Sequence, residues 1–274
     1  MDAVPARLHA ILARDAPIGA VFRRGPSGHV ATCHWDLTTD RITLGQWLKG
    51  RIYPARGDIS PDGRHVIYFA MNGRWASEST GAWTAIARTG WLKARVLIKE
   101  GDCWGGGGLF LDNRRYWVGS ALPRKEQILK DCADLQPVAD LALDPQLAAD
   151  RPSVRELRLR GRGWMPLGTP PRRFWSYERG LPHGWVLRKR HAAQHRHGER
   201  GVTEETEEHD LVAPDSTVLE RPGWEWADRD GGDVVYAEGG CLWRLSIDGR
   251  DRLGAPRLIH DFTPMVFEAL AAPD

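Results

Sequence analysis

The chain has 274 residues, of which 42% are hydrophobic and 27% are charged, so it can bury a large globular core. Its formal net charge of +2 gives no global reason to expect a nucleic-acid or membrane partner. Its 30 glycines and 18 prolines favour many short elements over long helices.

Several sequence features bear on location and cofactors. No run of about 18 apolar residues is present to span a membrane, and the charged N-terminal stretch does not resemble a secretory signal. We therefore expect a cytoplasmic protein with no membrane partner. The cysteines at positions 33, 103, 132 and 241 form no Cys-x-x-Cys pair, which favours buried, reduced thiols. No cofactor is expected.

The first patterned segment is residues 5–14. Leu8, Ile11 and Leu12 share a face at helical spacing, and Pro17 would stop a helix. This pattern predicts a short N-terminal helix. From Ile18 the pattern changes to β-type runs at residues 19–22, 29–35 and 41–48, separated by turn-forming residues. These three runs predict an antiparallel meander.

Residues 58–70 carry the clearest hairpin pattern of the chain. The Asp62-Gly63 turn is followed by a run of β-branched and aromatic residues. Similar segments lie at residues 109–118, 178–187 and 230–237. With turn centres at 27, 62, 112, 179 and 230, the gaps are 35, 50, 67 and 51 residues, and a period near 50 is typical of propeller blades.

The run Ser-Pro-Asp-Gly-Arg at residues 60–64, followed by a β-prone strand, resembles the repeat of TolB-type and WD-like β-propellers. In that family the segment turns between the two inner strands of a blade, and residues 226–232 look like a weaker copy. The resemblance and the spacing predict an all-β fold with a single β-propeller domain over residues 1–274. Five blades of four-stranded antiparallel sheet are expected, with four or six blades or a β-sandwich as alternatives.

Two segments exceed the blade spacing and predict insertions. Residues 123–150 contain a helical pattern at 125–135, which indicates a helical insertion around 124–150. Residues 189–210 are rich in Arg and His and then in Glu, which favours a long hairpin tip or a loop.

That second insertion holds the only histidine cluster. His191, His195 and His197 could meet a Zn²⁺ or Ni²⁺ ion if a helical turn held them together. Five basic residues lie among and beside these histidines and would oppose a divalent cation. The favoured interpretation is a solvated loop without metal.

A run of four glycines follows Asp102 and Trp104. Glycines such as Gly105 and Gly106 allow a backbone to approach a ligand, or they mark a bend entering an inner strand. The chain has 13 tryptophans, whose spread predicts packing between blades, although a few on loops could form a ligand platform. The candidate ligand-binding residues are therefore Trp104, Gly105, Gly106 and Trp224.

The favoured function is a non-catalytic propeller scaffold that binds a protein or peptide partner through one face, because no catalytic motif such as Gly-x-Ser-x-Gly is present. An alternative is an enzyme acting on a carbohydrate or small molecule at the central channel, with Asp58, Asp102 and Glu225 as catalytic candidates. A third is a nucleic-acid contact module, since only six of the 38 basic residues are Lys, but the near-neutral charge disfavours it.

Overall fold

The computed structural model describes residues 6–25, 28–119, 122–143, 147, 152–168, 174–194 and 204–273. Strands dominate these residues and form five sheets, which confirms the all-β class. Almost all strand pairs are antiparallel, and the pair β10–β12 is parallel.

The first three sheets come from the first part of the chain. Sheet 1 has the order β1-β2-β3-β4, with the strands Arg7–Leu12, Ile18–Arg24, His29–Asp36 and Arg41–Lys49. Sheet 2 has the order β11-β8-β7-β6-β5, in which β5 to β8 are Arg51–Ile59, His65–Met71, Ala82–Arg88 and Ala94–Lys99, and β11 is Ile128–Lys130. Sheet 3 has the order β12-β10-β9, with β9 at Gly108–Phe110, β10 at Arg115–Val118 and β12 at Gln136–Pro137.

The last two sheets are simple meanders. Sheet 4 runs from β13 to β17 in chain order, with the strands Met165–Pro166, Phe174–Gly180, Val186–Gln194, Glu204–Val212 and Val218–Glu220. Sheet 5 runs from β18 to β21, with the strands Trp224–Asp230, Asp233–Glu238, Cys241–Leu245 and Arg257–Asp261. The helix α1, Val154–Gly161, precedes sheet 4.

The chain divides into two compact units. The described residues of the first unit lie between 10 and 158 and between 265 and 273, and those of the second lie between 6 and 9 and between 159 and 264. The core of the first unit includes Phe22, Ile59 and Tyr68. The core of the second includes Trp164, Leu187 and Tyr236. Each unit therefore buries aromatic and branched side chains of its own.

The turns of the predicted repeat lie between neighbouring strands of the sheets. The turns near residues 62, 112 and 230 join β5 to β6, β9 to β10 and β18 to β19, and the one near 179 lies a few residues later, between β14 and β15. The turn centre at residue 27 lies outside the described residues, between the paired strands β2 and β3. Each repeat segment is thus associated with a different sheet.

The Asp62-Gly63 turn shows why these residues form a hairpin. The Ser60 hydroxyl donates to Asp62 Oδ1 over 2.6 Å, and the same carboxylate oxygen accepts from the amide of Arg64 at 3.1 Å. Gly63 has a φ of 73°, a left-handed conformation that favours glycine. The hydrogen bonds of Ser60 and Asp62 therefore stabilise the turn itself.

The predicted N-terminal helix is wrong. Residues Arg7–Leu12 form strand β1, which pairs with β2 in sheet 1 and buries Leu8, Ala10, Ile11 and Leu12. Leu8, Ile11 and Leu12 fit a helical face as well, and a six-residue segment is too short for periodicity to separate the two patterns.

The predicted helical insertion around 124–150 is also wrong over 125–135. Lys125–Gln127 is a single 3-10 turn, after which β11 joins sheet 2 and β12 joins sheet 3. The helix α1 begins later, at Val154. Of the remaining residues, 144–146 and 148–150 lie outside the described part. The expectation of uniform four-stranded sheets holds for sheets 1 and 5, whereas sheets 2 and 4 have five strands and sheet 3 has three.

The hairpin interpretation of residues 189–210 is confirmed for its described part. Strands β15 and β16 pair from Val186 opposite Val212 to Gln194 opposite Glu204. Residues 195–203 lie outside the described residues.

Candidate functional site

The candidate site is built on one face of sheet 2, in the first unit. Tyr53 pairs with Phe69, Phe69 with Thr84, and Thr84 with Ile98, so these four side chains share a face. Glu100 follows Ile98 by two residues, at the end of β8, where its amide still donates to the carbonyl of Ala82. This face therefore carries an aromatic pair beside a hydroxyl and a carboxyl group.

A bulge in β5 brings Arg56 to this face. The pairing of β5 with β6 shifts between Tyr53 and Asp58, so that residues 54–57 bulge out of the ladder. The buried Arg158 of α1 donates to the carbonyls of Pro54, at 2.8 Å, and Gly57. Two of the carbonyls in the bulge thereby gain a hydrogen-bond donor.

We call residues 101–107, between β8 and β9, the Trp104 loop. Arg56 Nη1 donates to the carbonyls of Cys103 and Gly105, both at 2.8 Å. The Arg56 guanidinium also lies 4.9 Å from the ring centre of Phe69 and 5.5 Å from that of Tyr53. One side chain therefore connects the loop to the aromatic pair of the sheet.

Two more side chains hold the same loop. Asp102 Oδ1 accepts from the amides of Trp104, at 2.8 Å, and Gly105, at 3.2 Å. The amide of Gly107 donates to Thr84 Oγ1 at 2.7 Å, and the Thr84 hydroxyl donates to Glu100 Oε1. The loop is thus fixed at its beginning by Asp102 and at its end by Thr84.

The glycines of the loop allow a close approach to the sheet. Gly106 and Gly107 have φ values of 86° and 84°. A Cβ atom at Gly106 would overlap the ring of Phe69, and one at Gly107 would overlap the carbonyl of Arg56. The amides of Gly105 and Gly107 also donate hydrogen bonds within the protein. Close packing and these internal hydrogen bonds therefore explain why glycines occupy the loop.

Trp104 itself points away from these contacts. Its side chain is 85% exposed. Trp75, in the loop between β6 and β7, is 51% exposed. Trp83 at the start of β7 pairs with Lys99 at the end of β8, so both loops leave sheet 2 at the same end. We call this end, with Trp75 and Trp104, the aromatic end of sheet 2.

Glu100 is the titratable group of the site with a shifted pKa. Burial raises the pKa of its carboxyl group above the usual value, the nearby Asp102 raises it further, and the hydrogen bond from Thr84 and the charge of Arg56 oppose the shift. Glu100 therefore takes up a proton more readily than an exposed glutamate. This carboxyl group lies beneath a loop that presents an exposed indole.

The three carboxylates that the sequence suggested for catalysis are each bonded to backbone. Asp58 is buried and accepts from the amide of Phe110 at 3.0 Å, which links β5 to β9. Asp102 holds the Trp104 loop. Glu225, in the second unit, accepts from the amide of Leu8 at 3.1 Å. Asp102, Trp104, Gly105 and Gly106 all lie in the Trp104 loop, in the first unit.

Trp224 lies in the second unit, apart from that loop. It is only 5% exposed, and its ring stacks on Tyr236 with centres 4.1 Å apart and an angle of 17° between the planes. The Arg221 guanidinium lies 5.6 Å from its ring centre. The Trp224 ring is therefore a core contact of its unit.

His191 lies in strand β15, opposite Glu207 of β16. The helical turn proposed to align His191 with His195 is therefore not formed at His191, and His195 and His197 lie outside the described residues. Within the described part of the chain, no three His, Cys, Asp or Glu side chains are arranged to hold a metal ion.

The second unit contains a buried charged cluster that sequence reasoning missed. Glu207 Oε2 lies 3.2 Å from Lys189 Nζ and 3.4 Å from His209 Nε2. The Lys189 ammonium is 4.9 Å from the ring centre of Trp164. Burial lowers the pKa of His209, against the opposing effect of the nearby Glu207 carboxylate, so the buried imidazole favours its neutral form. The run of basic residues at 188–190, followed by the acidic residues at 204–208, was the available signal.

Arg56, Thr84 and Glu100 were also missed. A Pro and a Gly flanking Arg56 signal a bulge in β5, but the contacts of Arg56 with the Trp104 loop join residues about 50 positions apart in the chain.

A scan against models of known protein families gives no match for this chain, and a search of curated proteins gives none either. No helix in the described ranges has the length and apolar character needed to cross a membrane.

Proposed function

We propose that the five sheets are the blades of a β-propeller and that the protein is a non-catalytic scaffold for a protein or peptide partner. The sheets occur in order along the chain, except that β11 returns to sheet 2 after β9 and β10 of sheet 3, and each sheet is associated with one repeat segment. The Ser-Pro-Asp-Gly-Arg turn at residues 60–64 supports the same architecture. A crystal structure tests it: five sheets arranged radially around one axis are expected, and two sheets stacked face to face would contradict it.

The observation that carries the binding function is the exposed Trp104 on a pinned loop. An indole that is 85% exposed contributes little to the core, yet Arg56, Asp102 and Thr84 all hold its loop in place. Tryptophan is enriched among residues that dominate binding energy. A loop ordered before binding loses less conformational entropy on association. These features favour a preorganised anchor for a partner.

The aromatic end of sheet 2 fits a partner segment with an apolar anchor residue. Trp75 and Trp104 offer two aromatic surfaces, and an indole N–H can donate to a peptide carbonyl. The loops also carry both signs of charge, with Arg74, Glu78 and Asp102. The partner is therefore expected to contribute an aromatic or branched side chain flanked by polar residues.

Selection of random peptides displayed on phage tests this proposal, with the wild type and Trp104→Ala as parallel targets. The wild type is expected to enrich peptides that share an apolar anchor. Their binding free energy for Trp104→Ala should be weaker by about 2 kcal/mol, which is a roughly thirtyfold loss of affinity. Met165→Ala is the matched control, because Met165 is 67% exposed but lies in the second unit. Peptides that bind both targets equally, or no enrichment on the wild type, would overturn the proposal.

A further inference from the structure

Residues 265–273, which we call the C-terminal segment, lie against sheet 1 in the first unit. These described residues belong to no helix or strand. Residues 266–269 are all exposed, with Val266 at 78% and Phe267 at 59%. A segment that buries so little apolar surface has a low free energy of local opening. It is therefore attached to the sheet in the way that an extended peptide would be.

Four side chains of sheet 1 receive this segment, and we call them the sheet 1 site: Arg23, His29, Gln46 and Trp47. Arg23 lies opposite Ala31, and Ala31 lies opposite Trp47, so Arg23 and Trp47 share a face across β2, β3 and β4. His29 precedes Ala31 by two residues and so lies on the same face. Gln46 lies where the pairing of β3 with β4 shifts.

The ring of Phe267 packs on this site. Its centre lies 6.0 Å from the ring centre of Trp47 and 5.6 Å from that of His29, with the planes tilted by 58° and 54°. The Arg23 guanidinium lies 5.4 Å from the ring centre of Trp47. Tilted contacts at these distances are typical of aromatic pairs. The site therefore suits an aromatic side chain, even though much of the Phe267 ring remains in solvent.

Gln46 offers a donor whose direction is fixed by the protein. Its Oε1 accepts from the amides of Leu92 and Lys93 at 2.8 and 3.0 Å. The amide oxygen is thus occupied, and Nε2 donates to the carbonyl of Leu270 at 3.1 Å. A donor that is oriented before a segment binds lowers the entropic cost of binding.

Arg23 offers a second oriented donor. Its Nη1 donates to the carbonyl of Gly25 at 2.6 Å, and its Nη2 donates to the carbonyl of Met265 at 3.2 Å. Trp47 Nε1, in contrast, is buried and has no hydrogen-bond acceptor among the described residues. Because an unsatisfied buried donor costs free energy, the chain's own segment is an imperfect ligand for this site.

We propose that the sheet 1 site is a second peptide-binding site, at which an extended segment of a partner protein with one aromatic side chain replaces the C-terminal segment. The contacts define this ligand as an aromatic residue with one carbonyl two positions earlier, for Arg23, and another three positions later, for Gln46. Every peptide has such carbonyls, so the aromatic side chain sets the specificity. The site lies on sheet 1 and does not depend on the Trp104 loop.

The tether makes the C-terminal segment a strong competitor for any peptide added from outside. A linked segment acts at an effective concentration in the millimolar range. Phe267→Ala in the full chain removes the ring contacts of the segment and keeps its carbonyls. This variant should therefore open the site to an added peptide.

Fluorescence anisotropy of a labelled peptide with the sequence of residues 264–274 tests this inference. The peptide is expected to bind full-length Phe267→Ala at least about fivefold more tightly than the wild type, because the weakened segment competes less. The same peptide carrying Phe267→Ala should bind at least about fivefold more weakly than the parent peptide. Equal affinities for the two proteins, equal affinities of the two peptides, or no saturable binding would each overturn the proposal.

Gln46→Glu in the Phe267→Ala protein locates the peptide. It keeps an acceptor for the amides of Leu92 and Lys93 but places an oxygen where Nε2 donated, so binding should weaken by at least about fivefold. Gln136→Glu makes the same charge change at an exposed position of β12 and should leave the affinity unchanged. Unchanged binding in Gln46→Glu, or equal losses in both variants, would contradict the sheet 1 site.

Discussion

Thr84 Oγ1 accepts a hydrogen bond from the amide of Gly107 at 2.7 Å, and this contact fastens the Trp104 loop to the middle of sheet 2. The same hydroxyl donates to Glu100, so a single buried side chain satisfies an amide and a carboxylate. A threonine in a strand is thereby responsible for the position of an exposed tryptophan three residues before Gly107. The order of the loop depends on a contact 23 residues away in the chain.

Thr84→Val is expected to destabilise the protein. Valine keeps the shape but leaves the Gly107 amide buried without its acceptor, which costs about 1–3 kcal/mol for an unsatisfied group. Urea unfolding would measure the change. Thr43→Val on the exposed part of β4 is the control and should stay within about 0.5 kcal/mol of the wild type. Equal stability of the two variants would show that the hydrogen bond contributes nothing.

Gly106→Ala tests the close approach of the loop to Phe69. Alanine must adopt a φ of 86° and its Cβ overlaps the ring, so the loss should exceed the roughly 1–3 kcal/mol of a left-handed residue alone. Gly101→Ala is a matched control, because Gly101 has a φ of 77° with open space around its Cβ position. The difference between the two unfolding free energies isolates the packing term. Equal losses would mean that the Phe69 contact is easily displaced.

Much of the fold could be predicted because its signals are local. The β-runs at residues 29–35 and 41–48 nearly coincide with β3 and β4, since alternation and turn residues act over a few positions. The strand β1 was missed because six residues fit both periodicities. The site around Glu100 could not be predicted because it depends on the bulge at 54–57 and on the register of four strands. The exposure of Trp104, by contrast, agrees with its place in a glycine-rich loop.

The raised pKa of Glu100 makes the stability dependent on pH. A carboxyl group whose pKa is raised by folding binds its proton more tightly in the folded state, so its contribution to stability is complete below about pH 4.5 and is lost as the pH rises through the folded-state value. Glu100→Gln removes this loss. Its stability relative to the wild type should therefore increase from pH 4 to pH 7 in urea unfolding. A relative stability that falls with rising pH would contradict the assignment.

Trp104→Phe should change the accessibility of the tryptophan fluorescence without changing stability. Trp104 is the most exposed large apolar residue among those described, so it should supply much of the emission that iodide quenches. The quenchable fraction should fall in this variant and remain unchanged in Trp226→Phe, whose ring is buried. Its unfolding free energy should stay within about 0.5 kcal/mol of the wild type. An unchanged quenchable fraction would place the indole against another surface.

In the buried cluster of the second unit, a variant that breaks the charge pair can be compared with one that replaces both of its members. Glu207→Gln leaves the Lys189 ammonium buried next to Trp164 without its carboxylate, and breaking a buried pair costs about 3–5 kcal/mol. Lys189→Met/Glu207→Met removes both charges and keeps the volume, so its stability should be closer to that of the wild type than the single variant. Urea unfolding of the three proteins at pH 7 provides the comparison, with His209 neutral throughout because burial lowers its pKa. If the double variant were less stable than Glu207→Gln, the pair would be a net source of stability and the desolvation argument would fail.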